Sequence, residues 1–277
     1  MSGFDPAACA ELIEAMTATS LAAADAIRRL HGPGGVRIKA DGSPVTAADE
    51  AAEAVIHAGL AHLAPALPVI SEEQAERAKP AITSASVILV DPLDGTREYI
   101  AGRDEYTINI AVVSRGAPIL GVITAPALGL IWRGVVGRGA ERLEFSSRQT
   151  SPPHAIRTRP RPEGDVIVMV SRSHLDTRTE AYLEGLPRAR RIPCGSSLKF
   201  CRLAEGAADL YPRLGPTRDW DVAAGHAILT AAGGAVVAPD GTSLIYGSPA
   251  LRIPAFVAWA IRPPPPRLAA ERVWRIR

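Results

Sequence analysis

The run Asp91-Pro92-Leu93-Asp94-Gly95-Thr96 sets two carboxylates, a turn glycine and a hydroxyl directly after the apolar stretch Val87 to Val90. A strand ending in such a turn leaves these groups where a buried element meets solvent, the place where open α/β sheets bind ligands. Carboxylate, hydroxyl and backbone carbonyl oxygens are the ligands a hard cation such as Mg²⁺ takes. Further acidic groups stand at comparable ends: Glu72-Glu73 follows Leu67-Pro68-Val69-Ile70-Ser71, and Asp221 follows Asp219-Trp220. Brought together without cations, these carboxylates would repel by roughly 4 kcal/mol for a unit-charge pair about 4 Å apart at an effective dielectric of about 20. Such a cluster implies bound divalent metal.

The elements that must position these groups can be read in outline. Asp5-Pro6 followed by an alanine-rich stretch to about Leu30 predicts a helix with an Asp cap and Pro at its first position. Thr46-Ala47-Ala48-Asp49 opens a second helix reaching about Leu63, preceded by an exposed turn from Lys39 to Pro44. Strands are expected at Pro68 to Ser71, Val87 to Asp91, Tyr106 to Ser114, Ile119 to Thr124 and Leu130 to Gly134. The polar segment Ser146 to Gly164, rich in Pro and Arg, marks a subdomain boundary. Beyond it a strand (Val166 to Val170), three helices (Thr177 to Leu186, Ser197 to Glu205, Trp220 to Ala232) and a strand (Ala235 to Ala238) alternate as an α/β unit. The expected division is a helix pair and sheet over 1–150, an α/β subdomain over 151–262 and a Pro/Arg-rich tail over 263–277.

Composition narrows the function. With 31 basic against 29 acidic residues in a 277-residue chain, no net field would gather nucleic acid, and 5% aromatic residues offers no stacking surface for bases. Only Lys39, Lys79 and Lys199 among the cations are lysine, so each is worth tracing. Cys9, Cys194 and Cys201 lack the number and spacing of a disulfide framework or a zinc site and read as thiols of a reducing compartment. Met1 to Met16 carries Asp5, Glu11 and Glu14 where an export signal would be basic. The uncharged stretch Ala117 to Trp132 is broken by Gly121, Pro126 and Gly129 and is too short to span a bilayer, so it reads as two buried strands. The expectation is a cytoplasmic protein without a transmembrane segment, with peripheral association to the inner face of the membrane left open.

Glu72-Glu73, the run Asp91 to Thr96, and Trp220-Asp221-Val222-Ala223-Ala224-Gly225 with Gly233-Gly234 downstream resemble, in this order and at these separations, the inositol monophosphatase superfamily of Mg²⁺-dependent, lithium-sensitive phosphatases. The resemblance covers nearly all of the chain and implies that superfamily's layered αβαβα sandwich. Ser43 to Asp49, Ser171-Arg172-Ser173-His174, Gly195-Ser196-Ser197-Leu198-Lys199-Phe200-Cys201 and Leu210-Tyr211-Pro212-Arg213 are similar to its bacterial 3′(2′),5′-bisphosphate nucleotidase branch. Arg97 and Tyr99 depart from it, standing where these enzymes commonly carry Lys and Phe.

The resemblance implies roles. Glu72, Asp91 and the Leu93 carbonyl would hold one Mg²⁺, and Asp91, Asp94 and Asp221 a second, for two or three ions in all. Glu72, Asp49 and Thr96 would be catalytic, the last two orienting the attacking water. Gly95 and Thr96 would face the reacting phosphate with backbone N–H groups, and His174, Ser196, Lys199 and Arg213 would contact substrate. Metals suit the reaction, since uncatalysed phosphate-monoester hydrolysis needs accelerations approaching about 10²¹-fold, and paired ions can clamp both the attacking and the leaving oxygen.

Each residue also has a plainer reading. Asp49, three residues after Thr46, fits a helix capping box. Asp91 and Asp94 fit turn dipeptides, and Asp221 fits a helix N-terminus. Glu73 fits a supporting or solvated acid, His174 a structural histidine, Lys199 a solvated helix face and Trp220 core packing. A nucleotide with two phosphates needs fixed cations for the one that does not react, which suits Lys199 as a point charge and Arg213 as a fork. Inositol monophosphatases resemble this chain but place a Glu near where Arg213-Leu214 stand. The implied function is hydrolysis of the 3′-phosphate of 3′-phosphoadenosine 5′-phosphate to AMP, in sulfate assimilation, by a monomer or homodimer with no nucleic-acid partner. An inositol, sugar or fructose 1,6-bisphosphate phosphatase and a non-catalytic nucleotide-binding protein are the alternatives.

Overall fold

The computed structural model describes residues 6–30, 32, 35–63, 67–77, 84–147, 149–160, 163–186 and 188–261. The expected Asp5 cap and the 263–277 tail lie outside these residues. Pro6 opens α1 (Pro6–Arg29), and α2 (Ala47–Leu63) lies against it. By length and composition alone, residues 7–29 of α1 could cross a membrane. Here its apolar stripe, with Met16, Ala23, Ala24 and Ile27 at 1% exposure or less, packs into the core.

The first sheet consists of β1 (Val69–Ser71), β2 (Ser86–Asp94), β3 (Thr107–Ser114), β4 (Ala117–Ala125), β5 (Leu130–Val135), β6 (Gly139–Ser146) and β7 (His154–Ile156), ordered β7-β6-β5-β4-β3-β2-β1. Gln149–Thr150 adds an eighth strand on β6. Only β1 and β2 run parallel. Successive side chains on a strand face opposite ways. In β2, Ile88 and Val90 meet α1 and α2, while Val87 and Leu89 meet the core on the other side. Burial on both faces is why this strand reads as an unbroken apolar run rather than an alternation.

The second sheet, β8 (Val166–Ser171), β9 (Ala189–Cys194), β10 (Leu210–Arg213), β11 (Ala235–Val237) and β12 (Phe256–Trp259), is ordered β9-β8-β10-β12-β11. Between the sheets lie α6 (Leu198–Ala204) and α7 (Asp219–Ala231), in one core that joins Leu89, Ile123 and Trp132 to Phe200, Trp220, Tyr211 and Phe256. On the far face α5 (Thr177–Glu184) covers Val166, Val168 and Val170 with Leu183. The layers therefore run helix pair, sheet, helix pair, sheet, helix. Close approach of the layers depends on glycine. A Cβ on Gly121 would lie 2.4 Å from the Ala224 carbonyl oxygen, and one on Gly225 would lie 2.3 Å from the Phe200 ring.

Two expectations need correction. The polar segment over 146–164 is not simply a connection: it carries Gln149–Thr150 and β7, so the first sheet runs past residue 150. Strands β6, β9, β10 and β12 are also absent from the sequence reading. The segment Ala117 to Trp132 does form two buried strands, β4 and β5.

Candidate active site

The carboxylates converge because β2 breaks its pairing where they occur. Asp91 faces Asn109 and Asp94 faces Thr107, with a register shift between them. Such a bulge re-aims side chains. Gly95 then takes φ 93° and ψ 37°, capping the short α4 (Thr96–Ile100). A Cβ at Gly95 would sit 3.0 Å from the Glu105 carbonyl oxygen, so both conformation and space exclude other residues. Glu72 begins α3 (Glu72–Arg77) at the end of β1, and Asp221 lies in the first turn of α7.

Ligand oxygens of Glu72, Asp91 and Asp221 all lie within 4.8 Å of one another. Asp91 is 2% exposed and accepts the Leu93 N–H at 3.1 Å. Burial first, then the charges of Glu72, Asp94 and Asp221, lift its carboxyl well above the usual range. Burial pushes Glu72 up to about 8, against the opposing charge of Lys39. Burial and Asp221 push Asp94 up to about 6, against Lys199 and Arg213, while Asn109 donates to Asp94 at 3.4 Å. Asp221 accepts from the Thr217 hydroxyl and, at 3.1 Å, from the Arg218 N–H. An all-oxygen set under this mutual repulsion, with the Leu93 carbonyl beside it, fits a hard divalent cation.

The two oxygens of Asp49 have different partners. Its Oδ2 accepts the Thr46 N–H at 2.8 Å and the Thr46 hydroxyl at 2.6 Å, a capping box for α2, while Oδ1 lies 3.1 Å from the Thr96 hydroxyl. That hydroxyl also lies 3.1 Å from the Leu93 carbonyl oxygen and can donate its one proton to either acceptor.

The cavity over these carboxylates is lined by every expected site residue except Asp49, which reaches it through Thr96. His174, Ser196, Lys199 and Arg213 stand on its second wall. That wall is tied to the metal turn by polar bonds across the sheets. Glu105 accepts the Arg172 guanidinium at 2.7 and 2.8 Å and the Gly195 N–H at 2.8 Å. The Ser197 hydroxyl donates to Asn109 at 2.7 Å, the residue whose amide reaches Asp94. Lys199 is no solvated face: it is 2% exposed, with its ammonium on the Cys194 and Ser196 carbonyls and 5.1 Å from the Tyr211 ring centre. His174 is exposed, and partial desolvation, followed by the charges of Arg213 and Arg97, lowers its pKa.

Several participants escape sequence reasoning. Lys39, expected on an exposed turn, has a 7% exposed side chain whose ammonium reaches Glu72 at 2.9 Å and Glu73 at 2.6 Å. Its pKa rises despite burial because both carboxylates hold its charge. Glu73 is thereby a buried partner rather than a solvated acid. Glu98, Glu105, Asn109 and Thr217 carry no local signal; for Lys39 the scarcity of lysine was the one available hint.

The inositol monophosphatase family model matches residues 9–272. The 3′(2′),5′-bisphosphate nucleotidase CysQ of Shigella flexneri is 43% identical over 233 residues, covering 81% of this chain and 89% of that protein. The protein of the same name from Escherichia coli K12 is 42% identical over 232 residues, with the same coverage. Among solved structures, CysQ from Bacteroides thetaiotaomicron superposes with a TM-score of 0.74 at 32% identity, covering 91% of this chain and 98% of that one. An inositol monophosphatase from Anabaena shares the fold at a TM-score of 0.71 and 24% identity, covering 91% of each chain. With its carboxylates and layers arranged in this way, the chain belongs to the inositol monophosphatase family, whose enzymes use Mg²⁺.

Proposed function

We propose that this protein is a 3′(2′),5′-bisphosphate nucleotidase that removes the 3′-phosphate of 3′-phosphoadenosine 5′-phosphate, giving AMP and phosphate. One observation carries the reading. A single cavity is lined by the acidic Glu72, Asp91, Asp94 and Asp221 together with Lys199 and Arg213, whose charges reach Asp94. An acidic wall loaded with cations suits the reacting phosphate, and fixed cations in the same cavity suit a second phosphate. A neutral polyol would offer no anion to the Arg213 guanidinium, whose charge otherwise acts on Asp221 and Asp94. The nucleotidases named above, at 42–43% identity over 81% of the chain, support the same substrate class.

In this reading Glu72, Asp91, Asp94, Asp221 and the Leu93 carbonyl would hold two or three Mg²⁺. Bound Mg²⁺ would neutralise the charge that develops on the attacking and leaving oxygens. The chain's own groups do the orienting. Thr96 donates its proton to Asp49, held in place by Thr46, so the free lone pair of Thr96 accepts a hydrogen from the attacking water. Water oxygen bonds to phosphorus as the bond to the 3′-oxygen breaks, and one of the two water protons ends on the leaving 3′-oxygen while the other stays with the released phosphate. His174, Ser196 and Arg213 bind the nucleotide, and the protein works in the cytoplasm. Phosphate release from 3′-phosphoadenosine 5′-phosphate, inositol 1-phosphate and fructose 1,6-bisphosphate tests the assignment. The nucleotide should give the highest kcat/KM, and a preference for inositol 1-phosphate replaces it with a polyol phosphatase.

A further inference from the structure

Resting on that nucleotidase reading, we propose that Arg97 is a specificity-determining residue, whose guanidinium grips the non-reacting phosphate together with Arg213. Two of the other cations of the cavity, Lys199 and Arg218, are already engaged. The Lys199 ammonium is buried on two carbonyls, so its charge acts on the cavity at a distance. The Arg218 guanidinium lies over Trp220, 5.5 Å from the ring centre. Arg97 is different: it is exposed, lines the same cavity and forms no ion pair with a described residue. Its five N–H donors are committed to no described acid.

The position of Arg97 is built. It follows Thr96 directly on α4, so its backbone is fixed by the turn that carries the metal ligands. Its neighbour Glu98 points inward, 3% exposed, and accepts the hydroxyl of Ser173. That bond straps α4 to the segment bearing His174, and the Arg172–Glu105 pair ties the same segment to the loop that follows α4. Arg97 and His174 line the same cavity, and the charge of Arg97 acts on the imidazole. A guanidinium presents a planar fork that matches two phosphate oxygens at once, which a lysine at this position cannot do.

The test compares kcat/KM on 3′-phosphoadenosine 5′-phosphate with kcat/KM on adenosine 3′-monophosphate, which lacks the non-reacting phosphate. Arg97→Ala should lower the ratio of the two by about tenfold to a hundredfold, the range for losing a hydrogen bond to a charged group. Arg97→Lys should recover part of it. AMP, which keeps the 5′-phosphate, should inhibit Arg97→Ala more weakly than wild type, whereas inorganic phosphate should inhibit both alike. An unchanged ratio, or equal losses on both substrates, overturns the role of Arg97. If wild type itself shows no preference for the bisphosphate over the monophosphate, the nucleotidase reading falls and this inference with it.

Discussion

Glu72→Gln measures how strongly the acidic cluster strains the metal-free protein. Burial raises Glu72 from 4.5 to about 8, Asp221 adds to this and Lys39 opposes it. A carboxyl with a raised folded-state pKa takes up a proton on folding. Between the two values the folded protein binds more protons than the unfolded chain, so stability falls as pH rises. At 1.36 kcal/mol per unit, the loss accumulated between 4.5 and pH 7 is roughly 3 kcal/mol. Coulomb's law gives a similar size: two ionised ligands at the 4.8 Å limit repel by about 3.5 kcal/mol at an effective dielectric of about 20. Glutamine keeps the shape without the charge, and Lys39 retains Glu73 at 2.6 Å.

The variant should therefore melt higher than wild type in metal-free buffer at pH 7, by roughly 6 to 12 °C at about 2 to 4 °C per kcal/mol. Scanning calorimetry after chelation, from pH 5 to 8.5, reads the effect. Wild type should lose stability across that window, with Asp94, at about 6, adding to the slope in its lower part. Glu72→Gln should lose less. Adding Mg²⁺ should raise the wild-type melting temperature most at high pH, where the ligands are deprotonated, and raise that of the variant little. A variant that melts below wild type in metal-free buffer at pH 7, or one with the same pH slope, would refute the reasoning.

Asp91→Asn should abolish turnover while the protein still folds, and its melting temperature should respond weakly to Mg²⁺; full wild-type activity after exhaustive chelation would defeat the metal reading. Thr96→Val should lower kcat far more than it changes KM, as steady-state kinetics will show, because its contact with water matters in the transition state. Asp49→Ala should lose about 1 kcal/mol of stability as a cap and also most of kcat; normal kcat would leave the cap as its whole role. Gly225→Ala should lose about 1 to 3 kcal/mol in urea denaturation, because the new methyl meets the Phe200 ring, which is itself stacked on Phe256; wild-type stability would mean that Phe200 can yield.

The parts of this molecule that are legible in sequence are those whose partners are near in the chain or whose environment is uniform. Strand β2 declares itself because both faces are buried, and the capping box declares itself because Thr46 and Asp49 are three residues apart. Strand β9 does not. Its residues Arg190, Arg191 and Pro193 are exposed, and the segment is extended because it pairs in parallel with β8 at the sheet edge. The same distinction divides the site. The proposed metal ligands are short acidic motifs at element ends, recognisable by their chemistry, whereas the groups around them are set by distant segments. Glu98 turns inward because Ser173, 75 residues later, offers a hydroxyl, and Glu105 does so because Arg172 and Gly195, 67 and 90 residues later, offer donors. Lys39 leaves solvent only because Glu72 and Glu73 are folded against it. Each of these side chains would read as an exposed charge in isolation, since burying it alone would be prohibitive. Burial is tolerated only when the partner arrives, and for Glu98 and Glu105 the partners come from the other half of the chain. The polar bonds that shape this site are therefore also the bonds that hold the two halves of the chain in register, so specificity and assembly rest on the same residues.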